Sequence, residues 1–300
     1  MTPPKTSSDV HVLWHRAKEA IAGTSPQRGA PSAGPVSRYL DPERHRREIA
    51  ALRALPQAIG PASKVSEAGD WFAAAVLGVP ILATRSDDGV LRTFINVCRH
   101  RGAVIAPIDA CGNERGRFVC PYHSWTYDGR GALVGRPHEA DFPHVPRATA
   151  SLVELPVAER CGLVWVIPSP LDAFDWDAYI GPLGRELEAL GYDSRTVSPH
   201  ERRFAQLSNW KLVLDANLES YHFQYAHRAT IAHLFFDNLV QQESFGRHQR
   251  IVLPKRSLAE AAHASGANAT LNFGANEFAC ERFEREIDAL VEAPAAGAST

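Results

Sequence analysis

The pattern of apolar and polar positions divides the first half of the chain into three parts. Residues 22–37 are small, polar and rich in proline, so we predict that 1–36 form a flexible leader, in which VHVLWHRAKEAIA is a candidate short helix. The segment DPERHRREIAALRAL has apolar positions at helical spacing, with Asp41 placed as N-cap and Pro42 in the first turn, and it predicts a helix that ends near Pro56. From 65 to 160, apolar runs separated by turns such as SDDG and DGRG predict antiparallel strands.

Helical periodicity returns after Pro168 and marks a second part of the chain. The segment LDAFDWDAYIGPLGRELEALGYDS mixes turns with an amphipathic helix, NWKLVL enters another helix, and ANEFACERFEREIDALVEA predicts a closing helix. The small residues of 292–300 predict a disordered tail. The pattern therefore predicts a β-rich region followed by a region of mixed helix and strand.

Composition and charge narrow the class of protein. The chain is 45% apolar and 22% charged with a net charge of -2, which is typical of a globular protein and gives no reason to expect nucleic acid as a partner. No run of 18 apolar residues is present, and the N-terminus lacks the layout of a signal peptide. We therefore expect a cytoplasmic protein with no membrane partner.

Two short loops among the predicted strands each contain one cysteine and one histidine. They supply Cys98 with His100, and Cys120 with His123. Structural zinc sites usually take two cysteines from one turn, whereas a Rieske [2Fe-2S] cluster needs two thiolates on one iron and two imidazoles on the other. The pattern favours the Rieske cluster, with a zinc-binding interaction module as the alternative. Cys111 has no place in the pattern, so we expect a buried small apolar side chain or a free thiol there.

A second histidine pair, His222 and His227, follows Asn-Trp-Lys in the C-terminal part of the chain, and Glu219 stands three residues before His222. On a continuous helix Glu219 and His222 would share a face with Asp215, but five residues turn through roughly 500°, which leaves His227 about 140° away from His222. For both imidazoles to reach one metal ion, the helix must end or bulge between them.

Both constellations resemble one family. CRHRGA followed by CPYHSWTYDGRG closely resembles the Rieske signature of the ring-hydroxylating and related Rieske non-haem iron oxygenases, and the segment from Asn217 to His227 is similar to the iron-binding helix of the same family. The resemblance implies an α+β fold. It places a β-rich Rieske domain at 37–165, with an N-terminal helix contributed to the catalytic domain, and a shortened catalytic domain at 166–291 with an antiparallel, helix-grip-like sheet and helices.

The resemblance also implies roles for particular residues. The [2Fe-2S] cluster would be held by Cys98, His100, Cys120 and His123, and a mononuclear Fe(II) by His222 and His227. Glu219 would bridge a Rieske histidine of one subunit to an iron-binding histidine of its neighbour in a homotrimer. Three options stay open for the third iron ligand, which are Glu277, Asp288 and no ligand at all. Secondary contacts and pocket lining are expected from a wider group: Asp215, Asn217, Tyr221, Phe223, Tyr225, Phe235 and Phe236.

The function that the resemblance implies is that of a terminal mono- or dioxygenase component. Electrons would come from a separate NAD(P)H-dependent reductase, with or without a ferredoxin, because no dinucleotide-binding motif is present in the chain. The substrates would be O2 and a small aromatic or related organic compound, and the trimer would form with or without a β subunit. The alternative is a Rieske electron-transfer protein or pseudoenzyme whose truncated catalytic domain lacks a complete iron site.

Overall fold

A computed structural model describes residues 33–113, 117–171, 173–189, 205–235, 241–253 and 255–256, together with Glu19. The predicted leader, closing helix and tail lie almost entirely outside these residues. The chain divides into two compact units. We call Ile49–Ala178 with Gly184–Arg202 the β unit, and Met1–Glu48 with Tyr179–Leu183 and Arg203–Thr300 the mixed unit.

The helix predicted near the start of the chain is confirmed. A short helix α1 (Ser37–Leu40) precedes α2 (Pro42–Arg53), and Asp41 caps the second helix by accepting hydrogen bonds from the backbone N–H groups of Glu43 and Arg44 at 2.8 and 3.3 Å. These bonds satisfy donors that have no partner inside a helix, which is why an aspartate at this position starts one.

In the described part of the chain, four antiparallel sheets account for the strands. The largest sheet contains five strands in the order β5-β2-β3-β4-β9, and the other sheets are β1-β11-β10, β6-β7-β8 and the hairpin β12-β13. The bounds are β1 (Gln57–Pro61), β2 (Asp70–Val76), β3 (Val79–Arg85), β4 (Leu91–Ile95), β5 (Cys111–Asn113), β6 (Arg117–Val119), β7 (Thr126–Asp128), β8 (Leu133–Gly135), β9 (Glu154–Leu155), β10 (Val157–Arg160), β11 (Leu163–Val166), β12 (Gln241–Phe245) and β13 (His248–Val252).

Both faces of the five-stranded sheet are buried, which explains its continuous apolar sequence. Successive side chains of a strand point to opposite faces. Accordingly, Trp71 and Ala73 of β2 join a core that includes Cys98, while their neighbours Phe72 and Ala74 join a second core on the other side. A sheet covered on both faces needs apolar residues at every position rather than at alternate ones.

The β6-β7-β8 sheet is joined to the cysteine-containing core through a turn that only glycine fits. Gly131 has φ of 76°, and a Cβ atom there would lie 2.5 Å from the Phe94 ring. The predicted DGRG turn is therefore confirmed, and its glycine is required by a close contact as well as by backbone conformation.

The described residues of the mixed unit form short helices and one hairpin. The amphipathic helix predicted after Pro168 is α3 (Trp176–Ala189), which is interrupted at Gly181 and contributes Tyr179–Leu183 to this unit. Helices α4 (Trp210–Asn217) and α5 (Phe223–Ala226) follow the Asn-Trp-Lys sequence. None of the described helices is long and apolar enough to cross a membrane. The α+β fold class is confirmed.

Candidate metal centres

The first cysteine-histidine loop is a tight turn that follows β4. A single antiparallel β-bridge between Val97 and Val104 joins the two ends of the loop. Inside it, the N–H of Cys98 donates to the carbonyl of Ala103 at 2.8 Å, and the N–H of Gly102 donates to the carbonyl of Cys98 at 3.0 Å. Gly102 has φ of 75°, a conformation that glycine adopts without steric cost. The backbone that carries Cys98 and His100 is therefore hydrogen-bonded along its length.

The second loop connects β6 to β7 and has the same kind of closure. The N–H of Cys120 donates to the carbonyl of Trp125 at 2.8 Å, and the N–H of Ser124 donates to the carbonyl of Cys120 at 3.0 Å. Ser124 has φ of 57°, which is an uncommon conformation for a residue other than glycine. This loop thus holds Cys120 and His123 in a turn that stores some backbone strain.

The two loops bring their four chemically active side chains together. The thiols of Cys98 and Cys120 are free and buried, and the ring centroids of His100 and His123 lie 4.6 Å apart. The Nδ1 atom of His100 is buried without a hydrogen-bond partner among the described residues. A buried polar nitrogen with no partner is rare, and a metal ion supplies what it lacks. These residues fit a [2Fe-2S] cluster with two thiolate and two imidazole ligands.

The surroundings of Cys98 and His100 favour uncharged groups. Burial, together with the neighbouring His123 and Arg101, lowers the pKa of His100, and burial raises the pKa of the Cys98 thiol. A lowered pKa keeps the His100 imidazole neutral at neutral pH, which is the form that binds metal. The thiols, by contrast, must lose protons when they become ligands.

Aromatic side chains enclose this centre on the buried side. Trp125 stacks on His100 with ring centroids 4.9 Å apart and an interplanar angle of 9°. The hydroxyl of the fully buried Tyr127 lies 3.4 Å from the Cys98 sulfur and accepts a hydrogen bond from the N–H of Arg99 at 3.0 Å. Burial raises the pKa of Tyr127, so its hydroxyl stays protonated and can donate to the sulfur. Tyr122, on the outer side, is 60% exposed.

The second histidine pair lies in the mixed unit, and here the helix ends earlier than the sequence suggested. Helix α4 stops at Asn217, before Glu219, and α5 begins only after His222. The reason is local: the Glu219 carboxylate accepts a hydrogen bond from the N–H of His222 at 3.1 Å and also contacts Nδ1 of that imidazole. The rings of His222 and His227 lie at the two ends of α5, with centroids 5.2 Å apart.

Other predicted partners of this pair take different roles. The Asp215 carboxylate accepts a hydrogen bond from the hydroxyl of Tyr39 at 2.9 Å. Among the described residues, no group of three or more His, Cys, Asp or Glu side chains could hold one metal ion. Glu277 and Asp288 lie outside those residues. The third iron ligand and the intersubunit role of Glu219 stay predictions.

Four further predicted residues can be placed. Cys111 is an exposed free thiol on β5, so the free-thiol alternative is confirmed and the alternative of a buried side chain is wrong. Phe223 and Phe235 pack edge to face with centroids 6.0 Å apart, whereas Tyr225 is 70% exposed. Phe236 lies outside the described residues.

Two buried ion pairs are not predicted from the sequence. In the mixed unit, the ammonium of Lys211 contacts the carboxylate of Glu48 at 2.5 Å, with both side chains nearly inaccessible. In the β unit, the buried guanidinium of Arg136 pairs with Glu139 at 2.5 Å. Glu48 and Lys211 are separated by 163 residues, and no local pattern marks either pair.

Comparison with known proteins follows the same division of the chain. The family model described as "Rieske [2Fe-2S] domain" matches residues 56–150, and the model described as "Ring hydroxylating alpha subunit (catalytic domain)" matches residues 193–292. The chain therefore belongs to the Rieske non-haem iron oxygenases, as an α subunit. The two domains of this family carry a Rieske [2Fe-2S] cluster and a mononuclear iron.

Curated relatives differ in what they oxidise. The chain is 31% identical to the chloroplastic choline monooxygenase of Beta vulgaris over 189 residues, which are 60% of this chain and 41% of that protein. It is 33% identical to the chlorobenzene dioxygenase subunit alpha of Cupriavidus sp. (strain PS12) over 181 residues, which are 59% and 38% of the two chains. The chain thus spans less than half the length of these relatives.

Solved structures support the fold. A quaternary ammonium Rieske monooxygenase, CntA, in complex with an inhibitor, superposes with a TM-score of 0.67 at 24% identity, covering 74% of this chain and 62% of the other. Naphthalene 1,2-dioxygenase from Rhodococcus sp. bound to indole gives a TM-score of 0.63 at 23% identity, covering 82% and 58%. At this level of identity the similarity concerns the fold alone.

Proposed function

We propose that the chain is the terminal component of a Rieske oxygenase, which receives electrons from a separate reductase and uses O2 to oxidise a small organic substrate. When bound, the [2Fe-2S] cluster supplies one-electron transfer and the mononuclear iron supplies O2 activation. The reductase would be an NAD(P)H-dependent flavoprotein acting directly or through a ferredoxin. The active assembly would be a homotrimer.

The observation that carries this proposal is the convergence of the two loops in the β unit. Two free, buried thiols and two imidazoles 4.6 Å apart, one of which has an unpartnered buried nitrogen, make a donor set for two irons. Tyr127 is placed to donate a hydrogen bond to the Cys98 sulfur, which would stabilise negative charge there. Trp125 excludes water from one face of the His100 ring.

In the mixed unit, His222 and His227 would hold the mononuclear iron. The Glu219 carboxylate contacts Nδ1 of His222, and it thereby sets the orientation of the ring and the tautomer in which Nε2 is free to bind metal. The same carboxylate would link this imidazole to a Rieske histidine of a neighbouring subunit, because a carboxylate can accept hydrogen bonds from two rings at once. Glu219 thus has a proposed positioning role and a proposed electron-transfer role.

Replacement of the cysteines tests the cluster assignment. Cys120→Ser should abolish the brown colour and the EPR signal of the reduced cluster, because serine is a poor substitute for a thiolate on iron. The matched control is Cys111→Ser, which changes an exposed cysteine in the same unit and should leave both signals unchanged. A cluster that survives Cys120→Ser would remove this residue from the ligand set. A colourless wild-type protein that contains zinc would overturn the whole proposal.

Oxygen uptake tests the activity. The holoprotein should be supplied with NADH and a surrogate reductase, and O2 consumption should be compared across quaternary ammonium compounds, aliphatic amines and aromatic compounds. These are the classes named by relatives such as choline monooxygenase, putrescine 2-hydroxylase and chlorobenzene dioxygenase. Substrate-dependent uptake matched by product formation supports an oxygenase. Reduction of the cluster without uptake on any class would contradict it.

A second candidate function is electron transfer alone. It is favoured by one observation, which is that the described part of the mixed unit offers two imidazoles but no third protein ligand near them. Iron analysis of anaerobically purified protein separates the two functions. The oxygenase predicts about three irons and two acid-labile sulfides per chain, and the electron carrier predicts about two and two.

A further inference from the structure

A buried positive charge packs against the same two aromatic rings that contact the His100 imidazole. The Arg136 side chain is only 3% exposed. Its guanidinium carbon lies 5.4 Å from the centre of the Trp125 ring and 4.9 Å from the centre of the Phe142 ring. Trp125 stacks on His100, and Phe142 meets the same imidazole edge to face at 6.0 Å. The same two rings therefore contact both the guanidinium and the imidazole.

The guanidinium is held in place by directed hydrogen bonds. Its Nη2 and Nε atoms donate to the two oxygens of Glu139 at 2.5 and 3.2 Å, and Nη1 donates to the carbonyl of Val145 at 2.9 Å. Glu139 also accepts from Arg147, and these two arginines lower the pKa of the Glu139 carboxyl to about 2, with Arg147 as the larger cause. Glu139 is consequently ionised at neutral pH.

The charges of Arg136, Glu139 and Arg147 do not cancel. Two arginines share one carboxylate, which leaves a net charge of one positive unit. Glu139 and Arg147 are 45% and 46% exposed, so water screens them, whereas Arg136 is shielded from solvent. A positive charge in a poorly screened site favours any nearby reaction that adds an electron.

We infer that Arg136 is a positioning residue that fixes the aromatic enclosure of His100 and raises the reduction potential of the cluster. The inference rests on the proposed function, since it assumes a cluster bound by His100. The guanidinium carbon lies 5.4 Å from the Trp125 ring centre, which lies 4.9 Å from the His100 ring centre. The guanidinium charge is therefore no more than about 10 Å from the His100 ring centre. At that distance, with an effective dielectric constant of about 20, the interaction changes a redox equilibrium by roughly tenfold. For one electron, that is about 59 mV.

Two substitutions of opposite charge test the inference. The potential of the assembled cluster should be measured by anaerobic redox titration with circular dichroism and EPR detection. Arg136→Gln removes the buried cation and should lower the potential. At a fixed applied potential, the ratio of reduced to oxidised cluster should fall by up to about tenfold. Glu139→Gln removes the anion and should raise the potential. The shift should be smaller than that of Arg136→Gln, because Glu139 is more exposed than Arg136. Arg136→Lys keeps the charge and should stay near the wild-type potential.

Arg147→Gln is the matched control. It removes a second arginine from the same carboxylate, but one that is half-exposed, and it should shift the potential less than Arg136→Gln does. A purely structural role for Arg136 would not make Arg136→Gln and Glu139→Gln shift the potential in opposite directions. The inference is overturned if Arg136→Gln leaves the potential unchanged or if Arg136→Gln and Glu139→Gln shift it in the same direction. If Arg136→Gln does not fold, Glu139→Gln still tests the inference. An upward shift of its potential supports the inference, and no shift or a downward shift overturns it.

The outcomes separate this inference from the proposed function. If the wild-type chain assembles no cluster, the proposed function fails and the inference fails with it. If the wild-type cluster assembles and the variants titrate at the same potential, only the inference fails. A changed EPR line shape in Arg136→Lys at an unchanged potential would support the positioning role separately from the charge.

Discussion

Removal of the Lys211 ammonium should strongly destabilise the mixed unit. Its nitrogen lies 2.5 Å from an oxygen of Glu48, and the two side chains are 4% and 1% exposed. The other oxygen of Glu48 accepts from Arg44 at 2.7 Å. The ammonium also lies 5.3 Å from the ring centre of Trp210 and 5.7 Å from that of Tyr39. The pair is therefore desolvated and fully engaged.

The substitution Lys211→Met keeps the aliphatic stem and deletes the charge. Breaking a buried ion pair from one side costs about 3–5 kcal/mol, because the remaining charge stays buried without compensation. Arg44 still pairs with Glu48, so we expect the lower end of that range, about 3 kcal/mol. The double variant Glu48→Leu/Lys211→Met removes both charges and should be close to wild type. A double-mutant cycle of wild type, Glu48→Leu, Lys211→Met and the double variant should then give a coupling energy of at least about 3 kcal/mol.

The assay is urea denaturation followed by far-UV circular dichroism, with the visible absorbance of the cluster recorded in parallel to report on the β unit. The matched control is Arg46→Met, which breaks the exposed pair of Arg46 with Glu43 on the same helix and should cost no more than about 0.5 kcal/mol. Two results would refute the reasoning: a Lys211→Met protein within 1 kcal/mol of wild type, or a double variant less stable than both single variants.

Three further outcomes are expected. Tyr127→Phe should lower the reduction potential of the cluster by tens of millivolts, about 59 mV for each tenfold change, because the hydrogen bond to the Cys98 sulfur is lost; an unchanged potential in a redox titration would contradict this. His222→Ala should lose about one iron per chain and all substrate-dependent O2 uptake while the cluster EPR signal persists, and surviving turnover would show that the iron is held elsewhere; Glu219→Gln should keep both metals and slow the uptake. Ser124→Gly should raise the free energy of unfolding by up to about 1 kcal/mol, since glycine adopts φ of 57° without strain, and a lower denaturation midpoint would count against that explanation.

The cysteine-histidine loops could be predicted from the sequence because their geometry is local. Each loop is closed by hydrogen bonds within six residues, and Gly102 marks the point where the backbone must turn with positive φ. The end of α4 was harder to place. Rotation along a helix shows that His222 and His227 cannot both reach one ion without a break, but it does not say where the break falls. The break between the two histidines is the end of α5 at Ala226, after which His227 has φ of -114° and ψ of 24°. The end of α4 at Asn217, followed by the capture of the His222 N–H by Glu219, lies before both histidines.

The buried charges could not be predicted, because they depend on tertiary contacts between distant segments. Glu48 lies in a charged stretch of α2 that would suit a solvated helix face. Its burial depends on Lys211, which is 163 residues away. Arg136 follows a short strand and lies close to exposed residues in the sequence, so its 3% exposure follows only from the packing of Trp125 and Phe142 around it.

The positions of these charges point to a role other than stability. Among the described residues, the buried charged side chains are Glu48, Arg136 and Lys211. Arg136 packs against two rings that contact a predicted cluster ligand, and Lys211 lies on the helix that leads to Glu219 and His222. Burial of charge contributes little net stability compared with apolar residues of similar volume, so stability alone does not explain their placement. If the double variant of Glu48 and Lys211 is as stable as wild type but binds less mononuclear iron, the pair serves to position the iron site, as Arg136 is inferred to do for the cluster.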